Sequence, residues 1–369
     1  KTPLNNNYDD IKFNKAPAGA ADMIINNDVI NKNNNMMNNM EYYNNKINYE
    51  FFRPYLAGLM EGDGTIWVGE DKYKNTMPKV SMVFNIKDKP LANYLLEITK
   101  CGSLNKKKSG NYMLWDMQNF REVYYMLSLI NGYMRTPKHE ALMRAMTWYN
   151  NYMEKYNNMN VNEELKGWDM INVPKGINLM KNLEMFEMLN RDTSPLDSNA
   201  WLTGMTDADG NFSMSLYKKK KVNTYYRLEL RQNYHRSNTL INNNMDMLNN
   251  MINKGESYYV IMSSIASLFN TNLYSRDRNI KFKDMYKMYS SYIVMVTNKE
   301  GLNSVVEYFN TYPLLSSKYL DYKDWAHIVK MMESKGQKFE TYKLASEIMT
   351  NYNSTRHKFK WDHLKLFKE

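Results

Sequence analysis

Cysteine occurs once in these 369 residues, at Cys101, which excludes an internal disulfide framework and any zinc site built on cysteines. The five histidines show no metal-ligand spacing either. No apolar run approaches the ~20 residues needed to cross a bilayer, so no membrane span is expected. Proline, glycine and alanine are scarce, whereas asparagine, tyrosine, methionine, isoleucine and lysine abound. That bias fits an AT-rich genome, for example an organellar one. The chain begins at Lys1 rather than at methionine and is read as a fragment, a processed product or an engineered start, so targeting signals are not judged from it.

Hydrophobic residues make up 43% of the chain and aromatics 14%, enough to exclude a wholly disordered polypeptide. The net charge of +10 attracts polyanions, nucleic acid first and an anionic membrane surface second. Residues 1–48 are an Asn-rich arm, with a low-complexity stretch from Asn31 to Asn39.

The most informative feature is an internal repeat. Tyr55-Leu56-Ala57-Gly58-Leu59-Met60-Glu61-Gly62-Asp63-Gly64 returns 146 residues later as Trp201-Leu202-Thr203-Gly204-Met205-Thr206-Asp207-Ala208-Asp209-Gly210. Behind each copy come alternating segments. Val80, Met82, Phe84 and Ile86 alternate with polar residues after the first, and Phe212, Met214 and Leu216, then Tyr226, Leu228 and Leu230, after the second. Such alternation marks half-buried strands. Helices are expected from an Asp88 N-cap to near Gly102 and from Ser237 or Asn238 through Leu248. A second strand pair follows, then helices over Phe120–Leu129 and Leu302–Phe309, and a last helix after Thr136-Pro137-Lys138 or Ser316-Ser317-Lys318.

Each half therefore reads αββαββα, an α+β fold of two pseudo-symmetric repeats with antiparallel sheets. The first repeat spans 49–152, a linker 153–196 with a helix over Ile177–Leu189, and the second 197–336 with an insertion near 257–287. A tail follows over 337–369.

The repeated segment reads as a helix ending at Gly64, with glycine supplying a left-handed residue there. Gly58 and Gly62 lie four apart, as do Gly204 and Ala208, so two such helices can approach closely across a pseudo-two-fold axis. Asp63 and Asp209 then meet at their C-terminal ends. A carboxylate there opposes the helix dipole by about 0.3–1 kcal/mol, and two of them ~4 Å apart repel by about 4 kcal/mol at an effective dielectric of 20. An isolated Asp-Gly is an ordinary turn; a duplicated one, with small residues in register, points to a divalent cation such as Mg²⁺ bound between carboxylates. Such ions activate water and stabilise the leaving oxygen of a phosphodiester.

Leu56–Gly64 and Leu202–Gly210 resemble the two signature helices of the LAGLIDADG family of homing endonucleases and intron maturases, over about residues 50–335. Fungal mitochondrial intron-encoded members are the nearest in composition and in phrases such as Thr206-Asp207-Ala208-Asp209-Gly210-Asn211-Phe212. The resemblance implies metal binding by Asp63 and Asp209, saddle-shaped sheets laid on the DNA major groove, and a basic residue per half near the site, matched by Lys138 and Lys318. They follow Asn119 and Asn298 by 19 and 20 residues, and would stabilise charge on the phosphate. Glu61 departs from the family's usual Asp, Thr203 and Thr206 replace its more typical apolar or small residues, and Gly62 widens the small face.

The cationic runs Lys106-Lys107-Lys108 and Lys218-Lys219-Lys220-Lys221 sit at strand ends, where a sheet reader meets phosphates, and Arg227 and Arg231 lie on a polar strand face. The segment Arg356–Trp361 mixes cations and aromatics, suited to stacking on single-stranded RNA or to helix packing. The family implies two functions, Mg²⁺-dependent cleavage of a double-stranded DNA target and splicing of a group I intron RNA as a maturase, with or without a splicing cofactor protein. The expected state is a pseudo-symmetric monomer in the mitochondrial matrix.

Overall fold

A computed structural model describes residues 48–70, 73–108, 110–157, 183–218, 221–234, 256–282, 285–336 and 338–367. The chain divides into two compact units. The first holds the segment up to Ser194 with Asn199–Met205 and the stretch from Trp361; the second holds Pro195–Ser198 and Thr206–Lys360. The N-terminal arm and the helix expected at 237–248 fall outside the described residues.

In the first unit, helix α1 (Tyr49–Asp63) runs straight into strand β1 (Gly64–Trp67), followed by β2 (Lys79–Asn85), α2 (Lys89–Thr99), β3 (Ser103–Lys106), β4 (Tyr112–Met117), α3 (Phe120–Ile130) and α4 (His139–Asn157). The four strands form one antiparallel sheet in the order β1-β2-β4-β3. Val80, Met82 and Phe84 are buried and their neighbours exposed or half-buried, as the alternation requires. The second unit repeats the plan: α5 (Trp201–Asp209, whose first five residues cluster with the first unit), β5 (Gly210–Tyr217), β6 (Lys221–Arg231), α6 (Tyr259–Leu268), β7 (Leu273–Phe282), β8 (Met285–Val296), α7 (Lys299–Thr311) and α8 (Lys318–Lys335). Its sheet order is β5-β6-β8-β7. The α+β repeat fold is borne out, and each repeat closes on the two helices expected after its second strand pair, one more than the shorthand αββαββα counts.

Asn119 and Asn298 cap α3 and α7, their side chains accepting from Glu122 N at 2.9 Å and Gly301 N at 2.7 Å. Phe212 packs among Tyr226, Phe309, Tyr322 and Trp325 at the centre of the second unit. In the first, the buried Trp115 donates its indole N–H to Cys101 O at 2.7 Å.

Four local expectations are corrected. Gly64 is extended (φ −90°, ψ 162°), not left-handed. It is glycine for space, since a Cβ there would lie 2.2 Å from Met60 Sδ and 2.6 Å from Met60 O. Asp88 makes no side-chain cap; Asn85 instead accepts from Lys87 N at 3.1 Å and starts a 3₁₀ turn ahead of α2, which ends in a left-handed Lys100. Residues 257–287 are no insertion, because α6, β7 and the start of β8 are the counterparts of α2, β3 and β4. Residues 183–189 form no helix, while 177–182 are outside the described set. Instead 184–192 runs as an extended strap tied to the first unit: Asn150 exchanges two hydrogen bonds with the Phe186 backbone (2.7 and 2.9 Å), and Asn131 and Tyr124 donate to Glu187 O and Glu184 O.

The tail helix α9 (Phe339–Ile348) packs on α8 and β5. Beyond it, Tyr352 Oη and Asn353 Nδ2 donate to Phe212 O at 2.6 and 2.8 Å. Arg356 pairs with the buried Asp321 at 2.7 Å and with Asp324 at 2.5 Å. That arginine is fastened to its own unit through these two carboxylates. Among the described residues no helix is long and apolar enough to cross a membrane.

Candidate active site and nucleic-acid interface

Both signature segments are helices ending on their second acidic residue, with Asp63 half-buried and Asp209 exposed. Where Trp201–Met205 meets α1 inside the first unit, the backbones touch. A Cβ on Gly58 would lie 2.0 Å from Trp201 O, and one on Gly204 would lie 1.9 Å from Tyr55 O. Tyr55 and Trp201 are themselves equivalent positions, so the contact is reciprocal. No side chain fits at either glycine. Gly62 and Ala208 lie one turn further along, toward the two Asp residues.

The first acidic residue of each motif has a different job from the second. Glu61 is buried and accepts from Arg135 N at 3.0 Å, from Thr136 N at 2.6 Å and from Trp201 Nε1 at 2.6 Å. Burial pushes its carboxyl above the usual range, opposed by these donors and the Thr136 hydroxyl. Asp207, also buried, accepts from Leu315 N at 2.8 Å, Ser316 N at 3.1 Å and Ser316 Oγ at 2.5 Å.

Lys138, just ahead of α4, and Lys318, the first residue of α8, reach the motif helices of their own units. Lys138 Nζ donates to Met60 O (3.2 Å) and Gly64 O (2.9 Å); Lys318 Nζ donates to Thr206 O (3.1 Å) and Ala208 O (2.8 Å). Each ammonium thus sits on the carbonyls at the negative end of the helix that bears Asp63 or Asp209, where a cation is stabilising. Among the described residues no three His, Cys, Asp or Glu side chains cluster as a metal site.

The polar faces of the sheets carry the remaining candidates. Lys106 ends β3, and Lys107 and Lys108 form the following turn, lining an open recess with Gly110 and Asn111. Lys218 is exposed in the β5–β6 turn with a left-handed backbone (φ 47°) and its Nζ 5.1 Å from the Tyr217 ring; Lys221 opens β6. Lys219 and Lys220 are outside the described residues. Arg227 and Arg278 both pair with Glu229, which also accepts from Ser291 Oγ at 2.6 Å. Burial acts to raise the Glu229 carboxyl, but Ser291 and the two guanidiniums outweigh it and hold it below the usual range. Arg231 stacks over Tyr289 at 4.7 Å.

A family model described as LAGLIDADG endonuclease matches residues 56–149 and 202–329. The chain belongs to the LAGLIDADG endonuclease family. It is 44% identical over 349 residues to the intron-encoded DNA endonuclease aI3 of Saccharomyces cerevisiae, covering 91% of this chain and 77% of that protein. An uncharacterised cox1 intron-2 protein of Schizosaccharomyces pombe is 25% identical over 274 residues, 74% of this chain and 64% of its own length. Among solved structures, the LAGLIDADG homing endonuclease I-GzeII in complex with its DNA target superposes with a TM-score of 0.55 at 16% identity, covering 83% of this chain and all of that one. I-LtrWI bound to target DNA gives 0.54 at 17% identity, covering 84% and 100%.

Reading this LAGLIDADG chain from sequence missed the partners of Glu61 and Asp207, and with them Trp201, Thr136 and Ser316. The acids themselves share the 146-residue offset of the motif. Thr136 and Ser316 stand two residues before the matched Lys138 and Lys318, at an offset of 180 rather than 146, so the sequence aligns them with each other but not with the acids they bind.

Proposed function

We propose that this protein is an intron-encoded, site-specific double-strand DNA endonuclease in which Asp63 and Asp209 each serve cleavage of one strand. One observation carries the reading: two equivalent helices each end in a carboxylate, and each end is capped by a lysine of its own unit. Mg²⁺ keeps several waters and takes one or two protein carboxylates plus substrate phosphates, so one acidic side chain per helix end fits a site completed by DNA. The ion supplies Lewis-acid stabilisation of the phosphate and a more acidic attacking water. The protein's share is to hold Asp63 and Asp209 still. Lys138 and Lys318 add positive charge beside the transition-state phosphate, while Arg227, Arg231, Lys106–Lys108 and Lys218–Lys221 bind the duplex. Gly62 and Ala208 extend the small face of the motif helices toward the carboxylates.

The test is cleavage of the intronless target by Asp63→Asn and Asp209→Asn proteins. Each is expected to nick one strand only, the double variant neither, and target binding to persist in all three. Cleavage of both strands by the double variant overturns the assignment.

A second reading, group I intron splicing as a maturase, has its own support. Lys358 and Lys360 are exposed on the tail and belong to neither sheet, leaving cationic surface for structured RNA. Splicing of the host intron at low Mg²⁺, with and without protein, decides it. A mitochondrial matrix location follows from the AT-biased composition and the family resemblance.

A further inference from the structure

In each unit the hydrogen bonds around the motif helix close into a ring. Glu61 grips the backbone N–H groups of Arg135 and Thr136, and the Thr136 hydroxyl donates to the same carboxylate. That hydroxyl oxygen accepts from Lys138 N at 3.2 Å, and Lys138 Nζ returns to Met60 O and Gly64 O on either side of Glu61 and Asp63. In the second unit Asp207 grips Leu315, Ser316 N and Ser316 Oγ; Ser316 Oγ accepts from Lys318 N at 3.1 Å; and Lys318 Nζ returns to Thr206 O and Ala208 O. The two rings differ in acid length and in Thr against Ser, yet each runs from carboxylate to hydroxyl to lysine to helix carbonyls.

We infer that Glu61 and Asp207 are positioning residues, each anchoring the lysine that fixes the helix end bearing Asp63 or Asp209. Their oxygens are occupied by N–H and O–H donors in a buried setting, so they serve the loop and leave the substrate to the second acid. Preorganised sites lose much of their rate from small misplacements, and the ring removes the freedom of both partners at once. Because each ring lies within one unit, its loss falls on one strand of the target. The kinetic arm of this inference rests on the endonuclease reading; its labelling arm does not.

Full-length Glu61→Gln and Asp207→Asn proteins test it, with Thr136→Val and Ser316→Ala as milder variants that remove only the relay oxygen. The first measurement is acetylation of lysines by a small amine-reactive reagent, read by mass spectrometry. Lys138 is expected to become about tenfold more reactive in Glu61→Gln and Thr136→Val with Lys318 unchanged, and the converse in the other pair. The second is strand-resolved cleavage with wild-type target affinity, where one strand slows about tenfold and nicked duplex accumulates, on opposite strands for the two pairs. Equal labelling of both lysines in all variants overturns the inference. So does equal slowing of both strands with a lowered unfolding midpoint. Failure of the wild-type protein to cut any target sinks the endonuclease reading alone, and the labelling still decides the ring.

Discussion

The indole N–H of Trp201 donates to the Glu61 carboxylate at 2.6 Å, so the opening residue of the second motif helix is bonded to the acid of the first. Asp207, its counterpart in the second motif, accepts from Leu315 N, Ser316 N and Ser316 Oγ. The longer side chain of Glu61 thus has a reason: it spans two backbone donors and an indole together.

Glu61→Asp is therefore expected to abandon either the indole or the amides. A buried donor left without a partner costs about 1–3 kcal/mol, and chemical denaturation should show a loss of that size with an unchanged denaturant slope. Unaltered stability would mean that the shorter acid reaches all three donors.

Alanine at Gly58 or Gly204 places a methyl inside a facing carbonyl's radius. Overpacking of this kind costs roughly 1–3 kcal/mol, occasionally more, and here backbone rather than side chain must yield, so the upper end is expected. Thermal unfolding measures it, and the double alanine variant should cost less than the sum if the helices part at the first substitution.

Arg356→Ala leaves Asp321 buried beside Asp324 without its guanidinium. Breaking a buried pair from one side costs about 3–5 kcal/mol. Calorimetry on that variant should show a drop of several degrees, and Arg356→Lys a smaller one because the fork to two carboxylates is lost.

Glu229 gives a pH signature with a definite sign. Its folded-state carboxyl lies below the usual range, so the stability it contributes is present above the unfolded value of about 4.3 and is lost as pH falls through the lowered folded value. The stability gap between wild type and Glu229→Gln should be flat from neutral pH to about 5 and close below about 4. A gap that opens in acid would reverse the assignment.

Much of this was readable in advance, and the failures are instructive. The strand alternation at Val80–Phe84 and Tyr226–Leu230 survived folding because each sheet has one face on a core and one outside. The N-caps Asn119 and Asn298 were markers of equivalence for the same local reason. Residues 257–287 misled because the second repeat is the longer one, and length at a shared topology looks like an inserted segment. The Ile177–Leu189 pattern misled in another way. Phe186 is apolar because it packs as a strap against Tyr124 at 4.4 Å, and such a seat has no period for a sequence to display. Glu61 was visible as a departure, but its donors come from Arg135, Thr136 and Trp201, 74 to 140 positions away, beyond any local signal.

The seam at Gly58 and Gly204 also has a bearing on how such a chain can change over generations. Each copy of the motif supplies the carbonyl that forbids a side chain on the other, so neither glycine can be traded while its counterpart keeps its place. The strands and their loops are under no such mutual veto. Duplication therefore leaves the two sets of strands free to diverge, while the glycine seam must be inherited as a matched pair.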